Sequence, residues 1–203
     1  MKNKINIAIV GLGQIGNHLF NEIKIKKKEI ELLTGKKINI AAISAKNQNK
    51  KRKFKINKKI FYKNPLKIID KNKIDILFEC IGLSDGISKK VVEKALKNCI
   101  HVITPNKALI SKHGDYLSSI AEKKKVNLEF EASVGGGIPI LRTIKEGLST
   151  NRITKVYGIL NGTCNYILSE MDRTNDNFKN VLKKAQTLGY AEPGNPKLDI
   201  NGY

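Results

Sequence analysis

The sequence predicts an α/β fold: a doubly wound parallel sheet in the first part of the chain, followed by the start of an α+β domain. Two observations support this. Up to about residue 130, apolar stretches typical of buried strands alternate with helical patterns, which is the order that βαβ units produce. Beyond that point the alternation stops and a glycine-rich segment follows. We therefore expect domains at 1–130 and 131–203.

The segment Ile5–Gly16 organises the first domain. An apolar strand enters a turn with glycines at 11, 13 and 16, and a helical pattern begins at about Gln14. In a dinucleotide-binding turn, the first glycine permits the bend, the second lets the backbone approach a pyrophosphate, and the third lets the helix pack closely. Free N–H groups at the helix start suit a phosphate. We predict a Rossmann-type cofactor site; a glycine-rich turn of another α/β fold is the alternative. The predicted contacts are Gly11, Leu12, Gly13, Gln14, Ile15 and Gly16.

The other elements follow from hydrophobic periodicity and from start and stop signals. Buried strands of a parallel sheet read as continuous apolar runs, whereas helices show apolar residues at helical spacing. Thr34-Gly35 supplies a stop for the first helix. The predicted strands after the first are 38–44, 74–80, 100–104, 126–131 and 152–160. The predicted helices are 17–33, 65–71, 86–98, 107–124 with an interruption near Gly114, 138–148, 164–171 and 178–188.

The end of the strand at 38–44 bears on the choice of cofactor. Enzymes of this architecture that use NAD place an Asp or Glu just beyond that strand, where it holds the ribose 2′-hydroxyl. Here the residues are Ser44, Ala45 and Lys46, and a basic run follows at 50–53. The lack of an acid and the nearby cations favour NADP over NAD, with Lys46 as a contact. A lysine-rich surface loop is the alternative.

Composition narrows the class of protein. Apolar residues make up 40% of the chain, and no apolar run approaches the roughly 18 residues of a membrane span. The net charge is +20, but only four of the 38 basic residues are arginine. A lysine-rich solvated surface explains this better than a nucleic-acid interface. The cysteines, Cys80, Cys99 and Cys164, lack metal-ligand spacing, so we expect reduced, buried thiols in a cytoplasmic protein.

Four further segments have patterns that suit a binding site. Thr104–Lys107 follows a strand, where an open α/β sheet binds ligands, although a solvated lysine at a helix start is the alternative. The glycines of 131–138 free backbone carbonyls for a cation, and an interdomain crossover explains them equally well. In 158–163, a polar residue either caps a helix or lines the site. The acids of 189–199 either bind an ammonium group or belong to an ordinary loop.

Five motifs, taken together, resemble those of the homoserine dehydrogenase family, and the resemblance covers the whole chain. They are Gly11–Gly16, Thr104–Lys107, Glu131–Pro139, Gly158–Leu168 and Leu188–Glu192. The resemblance implies an NAD(P)-dependent oxidoreductase of threonine and methionine biosynthesis, which interconverts L-homoserine and L-aspartate 4-semialdehyde and is a homodimer at full length. A dehydrogenase acting on another aldehyde or amino acid, and an NADP-binding module without catalysis, are the alternatives.

The resemblance also implies roles for individual residues. Lys107 would lie near the nicotinamide and the reacting oxygen, whose developing charge a lysine ammonium stabilises. Glu192 would bind the homoserine amino group, and Gly189 would border the nicotinamide. Thr104 joins the cofactor contacts, and Asp199 the substrate contacts. The floor of the active site would be Asn161, Gly162 and Thr163. The sodium ligands would be Glu131, Val134, Gly136 and Ile138.

Two departures from the family pattern matter. The family continues after Asp199 with Gly-x-Asp and then, four positions later, a proton-donating lysine, whereas this sequence ends at Tyr203. We therefore expect a fragment that binds the cofactor weakly and turns over no homoserine. The family's Glu-x-Asp-Pro loop is one residue longer here, at 192–196, with Asn195 in place of the aspartate. That change leaves the position of Asp199 relative to the substrate open.

Overall fold

The computed structural model describes residues 3–48, 50, 52, 54, 56–158, 161–191 and 200. The chain divides into two compact units, Met1–Ser133 and Val134–Tyr203. Among the described residues, no helix has both the length and the apolar character that a membrane span requires.

The first unit contains one sheet of six parallel strands in the order β3-β2-β1-β4-β5-β6. From β1 the chain moves outward through β2 and β3 on one side, and the later strands fill the other side. The direction therefore reverses between β1 and β4, and doubly wound sheets bind ligands beyond the carboxyl ends of strands at such a point. The predicted fold class is confirmed. The strands are β1 Lys4–Val10, β2 Lys37–Ser44, β3 Phe61–Tyr62, β4 Ile76–Glu79, β5 His101–Ile103 and β6 Leu128–Glu129.

Helices cover both faces of this sheet because successive residues of a buried strand point to opposite sides. On β1, Ala8 and Val10 join the core under α4 and α5, whereas Ile7 and Ile9 pack in the core that holds Phe20 of α1. The helices are α1 Gln14–Ile25, α2 Lys27–Thr34, α3 Leu66–Lys71, α4 Ile87–Lys97 and α5 Lys107–Lys124. Two 3₁₀ turns lie at Lys58–Ile60 and Glu131–Ser133.

Three sequence predictions for this unit need correction. The helix predicted at 17–33 breaks at Lys26, because the apolar stripe that α1 buries does not continue and α2 has no buried residue. Gly114 does not interrupt α5. A helical glycine costs only about 1 kcal/mol relative to alanine, less than the packing of the helix's buried leucines provides. The short strand β3 was not predicted, since two residues carry no periodic signal.

The second unit is helical where it is described. A helical segment comprises α6 Ile140–Arg142 and a π turn Thr143–Gly147, and two longer helices follow, α7 Gly162–Thr174 and α8 Phe178–Leu188. The two longer helices enclose a small core of Ile167, Val181, Ala185 and Ala191.

The strand predicted at 152–160 is not formed at residues 152–158, and 159 and 160 lie outside the described residues. A strand needs a neighbour to pair its backbone groups, and no sheet occurs among the described residues of this unit. The apolar side chains that suggested a strand, including Val156 and Tyr157, are exposed instead.

Candidate functional site

The glycine turn between β1 and α1 is shaped by close backbone packing. Gly11 has φ +91°, and a Cβ placed there would lie 2.4 Å from the carbonyl oxygen of Cys80. A Cβ on Gly16 would lie 1.9 Å from the carbonyl oxygen of Gly11. The Gly11 N–H donates to the Ser44 carbonyl at 2.9 Å, which ties the turn to the end of β2. Both glycines are therefore required by the protein's own backbone.

Gly13 differs from its neighbours, because a Cβ there would meet no atom within 4 Å. Gly13 caps α1 without a side-chain hydrogen bond, and the first turn contains no acidic residue. The first backbone N–H groups of a helix have no partner within it and attract anions. Space, donors and partial positive charge thus coincide here, and the turn fits the pyrophosphate of a dinucleotide. The Leu12 side chain is buried in the core, whereas those of Gln14 and Ile15 are exposed.

A second group of polar residues lies at the same edge of the sheet, at the ends of β4 and β5. Glu79 ends β4 and is fully buried. Its Oε2 accepts from the Thr104 hydroxyl at 2.6 Å and from Asn106 Nδ2 at 3.3 Å. Its Oε1 accepts from the backbone N–H groups of Ile81 at 2.8 Å and Gly82 at 3.4 Å. This carboxylate joins two neighbouring strand ends and the loops that leave them.

The turn held by Glu79 places Lys107 at the first position of α5. Asn106 caps this helix, since its Oδ1 accepts from the Leu109 N–H at 3.1 Å. Lys107 is exposed at the carboxyl edge, which suits both a residue that faces a ligand and a solvated lysine at a helix start. Thr104, predicted as a cofactor contact, is 1% exposed and its hydroxyl is bound to Glu79. The Thr104 side chain therefore supports the turn.

Glu79 was missed by the sequence reasoning, although a signal was present. The run Ile76–Glu79 is apolar up to an acid at the carboxyl end of a strand, the edge at which these sheets bind ligands. An acid there requires either a ligand or several hydrogen-bond donors. In the structure it has donors from four residues, which are distant in sequence and were not identifiable beforehand.

The segment after β2 contains the predicted basic contact. Ser44 and Ala45 are buried and Lys46 is exposed. The Arg52 guanidinium donates to the carbonyls of Asn47 at 2.8 Å, Gln48 at 3.1 Å and Lys50 at 3.0 Å, which closes the loop on itself. No Asp or Glu occurs in the sequence between residues 44 and 69. Lys51 and Lys53 of the basic run lie outside the described residues.

In the second unit, the predicted active-site floor lies next to the end of α8. Asn161 caps α7, with its side chain accepting from the Cys164 N–H at 2.9 Å. Thr163 donates its hydroxyl to the Tyr190 carbonyl at 2.5 Å. Gly189 ends α8 with φ +83°. The structure thus brings the segment Asn161–Thr163 to the residues that follow Gly189. The predicted substrate residues Glu192 and Asp199 lie outside the described residues.

The predicted sodium ligands are divided between the units. Glu131 lies in a 3₁₀ turn at the end of the first unit, and Val134, Gly136 and Ile138 belong to the second. The Ile138 N–H donates to the Gly135 carbonyl at 2.8 Å, in a turn where Gly135 and Gly137 both have positive φ. Among the described residues, no group of three or more His, Cys, Asp or Glu could hold a metal ion. The sodium site stays a prediction.

The cysteines have different environments, and all three are free. Burial raises the pKa of the Cys80 thiol to about 12, and the negative charge of Glu79 adds to the shift. Cys164 is half-buried, but Cys99 is exposed, so the expectation of buried thiols is wrong at that position. Cys99 lies between α4 and β5 in a left-handed conformation with φ 57°.

Comparison with known proteins assigns both units to one family. The sequence model for the homoserine dehydrogenase NAD-binding domain matches residues 11–131, and the model for homoserine dehydrogenase matches 139–203. The homoserine dehydrogenases of Neisseria gonorrhoeae and Pseudomonas aeruginosa are 39% and 40% identical to this chain over 198 and 201 residues. Each alignment covers 98% of this chain and 45% of the relative.

Solved structures agree with these matches. A crystal structure of a homoserine dehydrogenase from Thiobacillus denitrificans has a TM-score of 0.83 at 36% identity, covering 97% of this chain and 45% of that one. A hyperthermophilic archaeal homoserine dehydrogenase in complex with NADPH, 22% identical with a TM-score of 0.78, shares the fold. The chain spans about 45% of the length of the curated relatives it matches. With a nicotinamide-cofactor domain in its first unit and the family's motifs along its length, the chain belongs to the homoserine dehydrogenase family.

Proposed function

We propose that the protein represented by this chain is an NAD(P)-dependent oxidoreductase that interconverts L-homoserine and L-aspartate 4-semialdehyde. One observation carries the proposal: the open cradle at Gly13 and the turn that ends in Lys107 lie at the same edge of one sheet. The cradle follows β1 at the switch point, and the Lys107 turn follows β5, two strands away. Membership of the homoserine dehydrogenase family then identifies the reaction that we propose for a site at this edge.

The residues of the chain have distinct parts in this mechanism. When bound, the nicotinamide cofactor supplies or accepts the hydride. The N–H groups around Gly13 hold the pyrophosphate at the start of α1. Lys107 places an ammonium group beside the aldehyde oxygen, where negative charge develops as the carbon is reduced. A positioned group of this kind contributes roughly 10²–10⁴-fold to such a reaction.

We propose NADP as the preferred cofactor. The 2′-phosphate of NADP carries negative charge, and the segment after β2 offers Lys46 and Lys50 with no acid in the sequence between residues 44 and 69. Replacing both lysines, as Lys46→Glu with Lys50→Glu, is expected to weaken NADPH binding more than NADH binding. The matched control is Lys71→Glu with Lys73→Glu, at the end of α3 and in the loop that leads to β4, at the opposite edge of the sheet. Fluorescence titration measures both; an equal loss for the two cofactors would contradict the assignment.

We propose the remaining roles on the family's pattern. Residues 1–130 form the nucleotide domain and 131–203 the beginning of the catalytic domain. Substrate contacts come from Glu192, Asp199 and the Asn161–Thr163 segment, with Gly189 at the nicotinamide. The hydrogen bond between Thr163 and the Tyr190 carbonyl supports the roles of Asn161–Thr163 and Gly189, because it joins the start of α7 to the residue after Gly189. A sodium ion is held by the four predicted ligands, and the full-length protein is a cytoplasmic homodimer.

The test separates cofactor binding from turnover. Gly13→Ala puts a methyl group into the cradle, where no protein atom lies within 4 Å, so folding is preserved and the pyrophosphate is displaced. Loss of one charge-assisted hydrogen bond corresponds to roughly a 10- to 100-fold weaker affinity. Gly114→Ala, the same change inside α5, is the control and is expected to bind normally. Unchanged NADPH affinity in the Gly13 variant would rule out this cradle.

Turnover is measured as homoserine-dependent formation of NADPH. The polypeptide for this assay includes this chain and has the full length of its relatives, because the chain spans about 45% of them. We expect that polypeptide to be active and the 203-residue chain to bind cofactor without turnover. An inactive full-length protein that nevertheless binds NADPH would favour a binding module without catalysis.

A further inference from the structure

Glu79 is a buried carboxylate with an unusual set of partners. Its four hydrogen-bond partners are the Ile81 and Gly82 N–H groups, the Thr104 hydroxyl and the Asn106 amide nitrogen. Among the described residues, no lysine or arginine forms an ion pair with it. A buried carboxylate without a cation is stable only when donors satisfy its oxygens, and here the donors come from the loops after both β4 and β5. An apolar residue at this position would leave those donors without an acceptor, so the acid fixes both loops.

The direction of each hydrogen bond around Glu79 is fixed by its neighbours. The Asn106 Nδ2 also donates to the Leu83 carbonyl at 2.9 Å, while its Oδ1 accepts from the Leu109 N–H. This places the amide nitrogen toward Glu79. The Thr104 oxygen accepts from the Asn106 N–H at 3.1 Å and directs its own hydrogen to Glu79. All four partners are thus donors, and the two side-chain oxygens of Glu79 accept from all of them.

We infer that Glu79 is the positioning residue that fixes Lys107 in the site, an inference that rests on the proposed function. The carboxylate orients Asn106, Asn106 caps α5, and Lys107 is the first residue of that helix. Glu79 is fully buried and acts through the turn. Its removal is expected to move the ammonium group relative to the reacting oxygen, and a displacement of about 1 Å can reduce a rate by roughly 10²-fold.

Glu79→Gln is the informative substitution because it keeps the shape of the side chain. The amide replaces one acceptor oxygen by an NH₂ group. If the NH₂ group takes the place of Oε2 it faces the donors of Thr104 and Asn106, and if it takes the place of Oε1 it faces the Ile81 N–H, so one hydrogen bond or more is lost in either case. The matched control is Asp75→Asn, at the other end of the same strand, where the carboxylate accepts from the Asn6 N–H at 2.8 Å. Thr104→Val, which removes one donor to Glu79 and the acceptor of the Asn106 N–H, provides a second variant should Glu79→Gln fail to fold.

The experiment measures turnover and hydrogen exchange on the full-length protein. For Glu79→Gln we expect kcat to fall by roughly 10–100-fold. The KM for homoserine and the affinity for 2′,5′-ADP should change little, since none of the four hydrogen bonds of Glu79 is made to residues 11–16. Amide exchange at Leu109 and Ile110 should accelerate, while exchange at Asn17 in α1 stays as it was. Thr104→Val should show the same pattern, and Asp75→Asn should show neither effect.

An active Glu79→Gln protein with wild-type kcat overturns the inference, as does a loss of kcat that Asp75→Asn reproduces. Failure of the proposed function has a different signature, because wild-type protein then shows no homoserine turnover at all. In that case the exchange measurement still decides whether Glu79 orders the start of α5: unchanged exchange at Leu109 overturns that step, and faster exchange upholds it.

Discussion

Gly11, Gly13 and Gly16 share one turn, but a methyl group at each would meet different surroundings. At Gly11 and Gly16 it would overlap backbone oxygens, and at Gly13 it would point into open space. Backbone oxygens of a sheet and its helix cannot move aside as a flexible side chain can. The first and third glycines therefore serve the fold, and the second leaves room for a ligand.

This division gives a prediction about stability. We expect Gly16→Ala to lower the free energy of unfolding by roughly 1–3 kcal/mol, as overpacking of a tight site does. Gly13→Ala should cost less, about 1 kcal/mol or below, because alanine is a poorer N-cap than glycine but its methyl group meets no atom within 4 Å. Urea denaturation followed by circular dichroism compares the two. Equal stability of both variants would show that the turn relaxes around an added methyl group, contrary to the close contact at Gly16.

Helices illustrate how far local sequence determines an element. The bounds of α8 follow from periodicity, and Gly35 ends α2 in the left-handed conformation, with φ +64°, that its stop signal predicts. The break at Lys26 and the continuity of α5 through Gly114 depend on which side chains become buried, which only the assembled sheet decides. The same holds for residues 152–158, where an apolar pattern lacks a strand to pair with.

Gly114 offers a test within α5. Alanine is favoured over glycine in a helix interior by roughly 0.5–1 kcal/mol. A Cβ at this position would lie 3.4 Å from Ile110 Cγ2, an ordinary packing distance. Gly114→Ala is therefore expected to stabilise the chain by about that amount in urea denaturation. A destabilised variant would mean that the helix is more tightly packed at Gly114 than this contact indicates.

The contact between α7 and α8 predicts a dependence on pH. The Arg173 guanidinium and the Lys184 ammonium hold the pKa of Glu170 at about 2, below its ordinary 4.5. The folded pair binds this proton less readily than the unfolded chain, so the ion pairs stabilise fully above pH 4.5. Their contribution is lost as the pH falls from there to about 2.

Glu170→Gln should flatten that dependence. Near-ultraviolet circular dichroism of the stacked Tyr166 and Tyr190 rings, whose centroids are 4.5 Å apart, reports on this unit. We expect the wild-type signal to weaken between pH 4.5 and 2, and the variant signal to change less. Asp172→Asn, an exposed acid on the same helix, is the control and should behave as wild type. An identical loss of signal with falling pH in all three proteins would show that protonation of Glu170 does not cause it.

At the scale of the whole molecule, buried apolar residues are unevenly shared. The first unit contains two clusters on the faces of its sheet, whereas four buried apolar residues form the described core of the second. Burial of each large apolar side chain contributes roughly 1.5–3 kcal/mol. Burial of apolar side chains therefore stabilises the first unit more than the second, and we expect the first unit to fold by itself.

We expect residues 1–133 to unfold cooperatively in urea when expressed alone, and to retain NADPH binding. Residues 134–203 alone should show a broad, weak transition. Circular dichroism and fluorescence titration measure both. Collapse of the shorter first-unit protein into a species without a cooperative transition would show that its stability depends on the rest of the chain.

The sequence revealed most of this organisation because its strongest signals are local. The glycine turn, the alternation of strands and helices and the position of Lys107 all follow from short patterns. The hydrogen bonds that hold the turn before Lys107 could not be predicted. Glu79 accepts from residues 81, 82, 104 and 106, and these residues come together only when β4 and β5 pair. In the same way, the three backbone carbonyls that accept hydrogen bonds from Arg52 could not be identified from the sequence.

Once the half-buried Cys164 is replaced by serine, the contrast between Cys80 and Cys99 allows labelling at a single position. A thiol reacts with maleimide reagents as its thiolate, and a pKa of about 12 leaves Cys80 almost wholly protonated at neutral pH. Cys99 is exposed, beyond the end of α4 and at the opposite end of that helix from the loop that follows Glu79. A fluorescent dye attached there would sit away from the cofactor edge, and could report on nucleotide binding without blocking it.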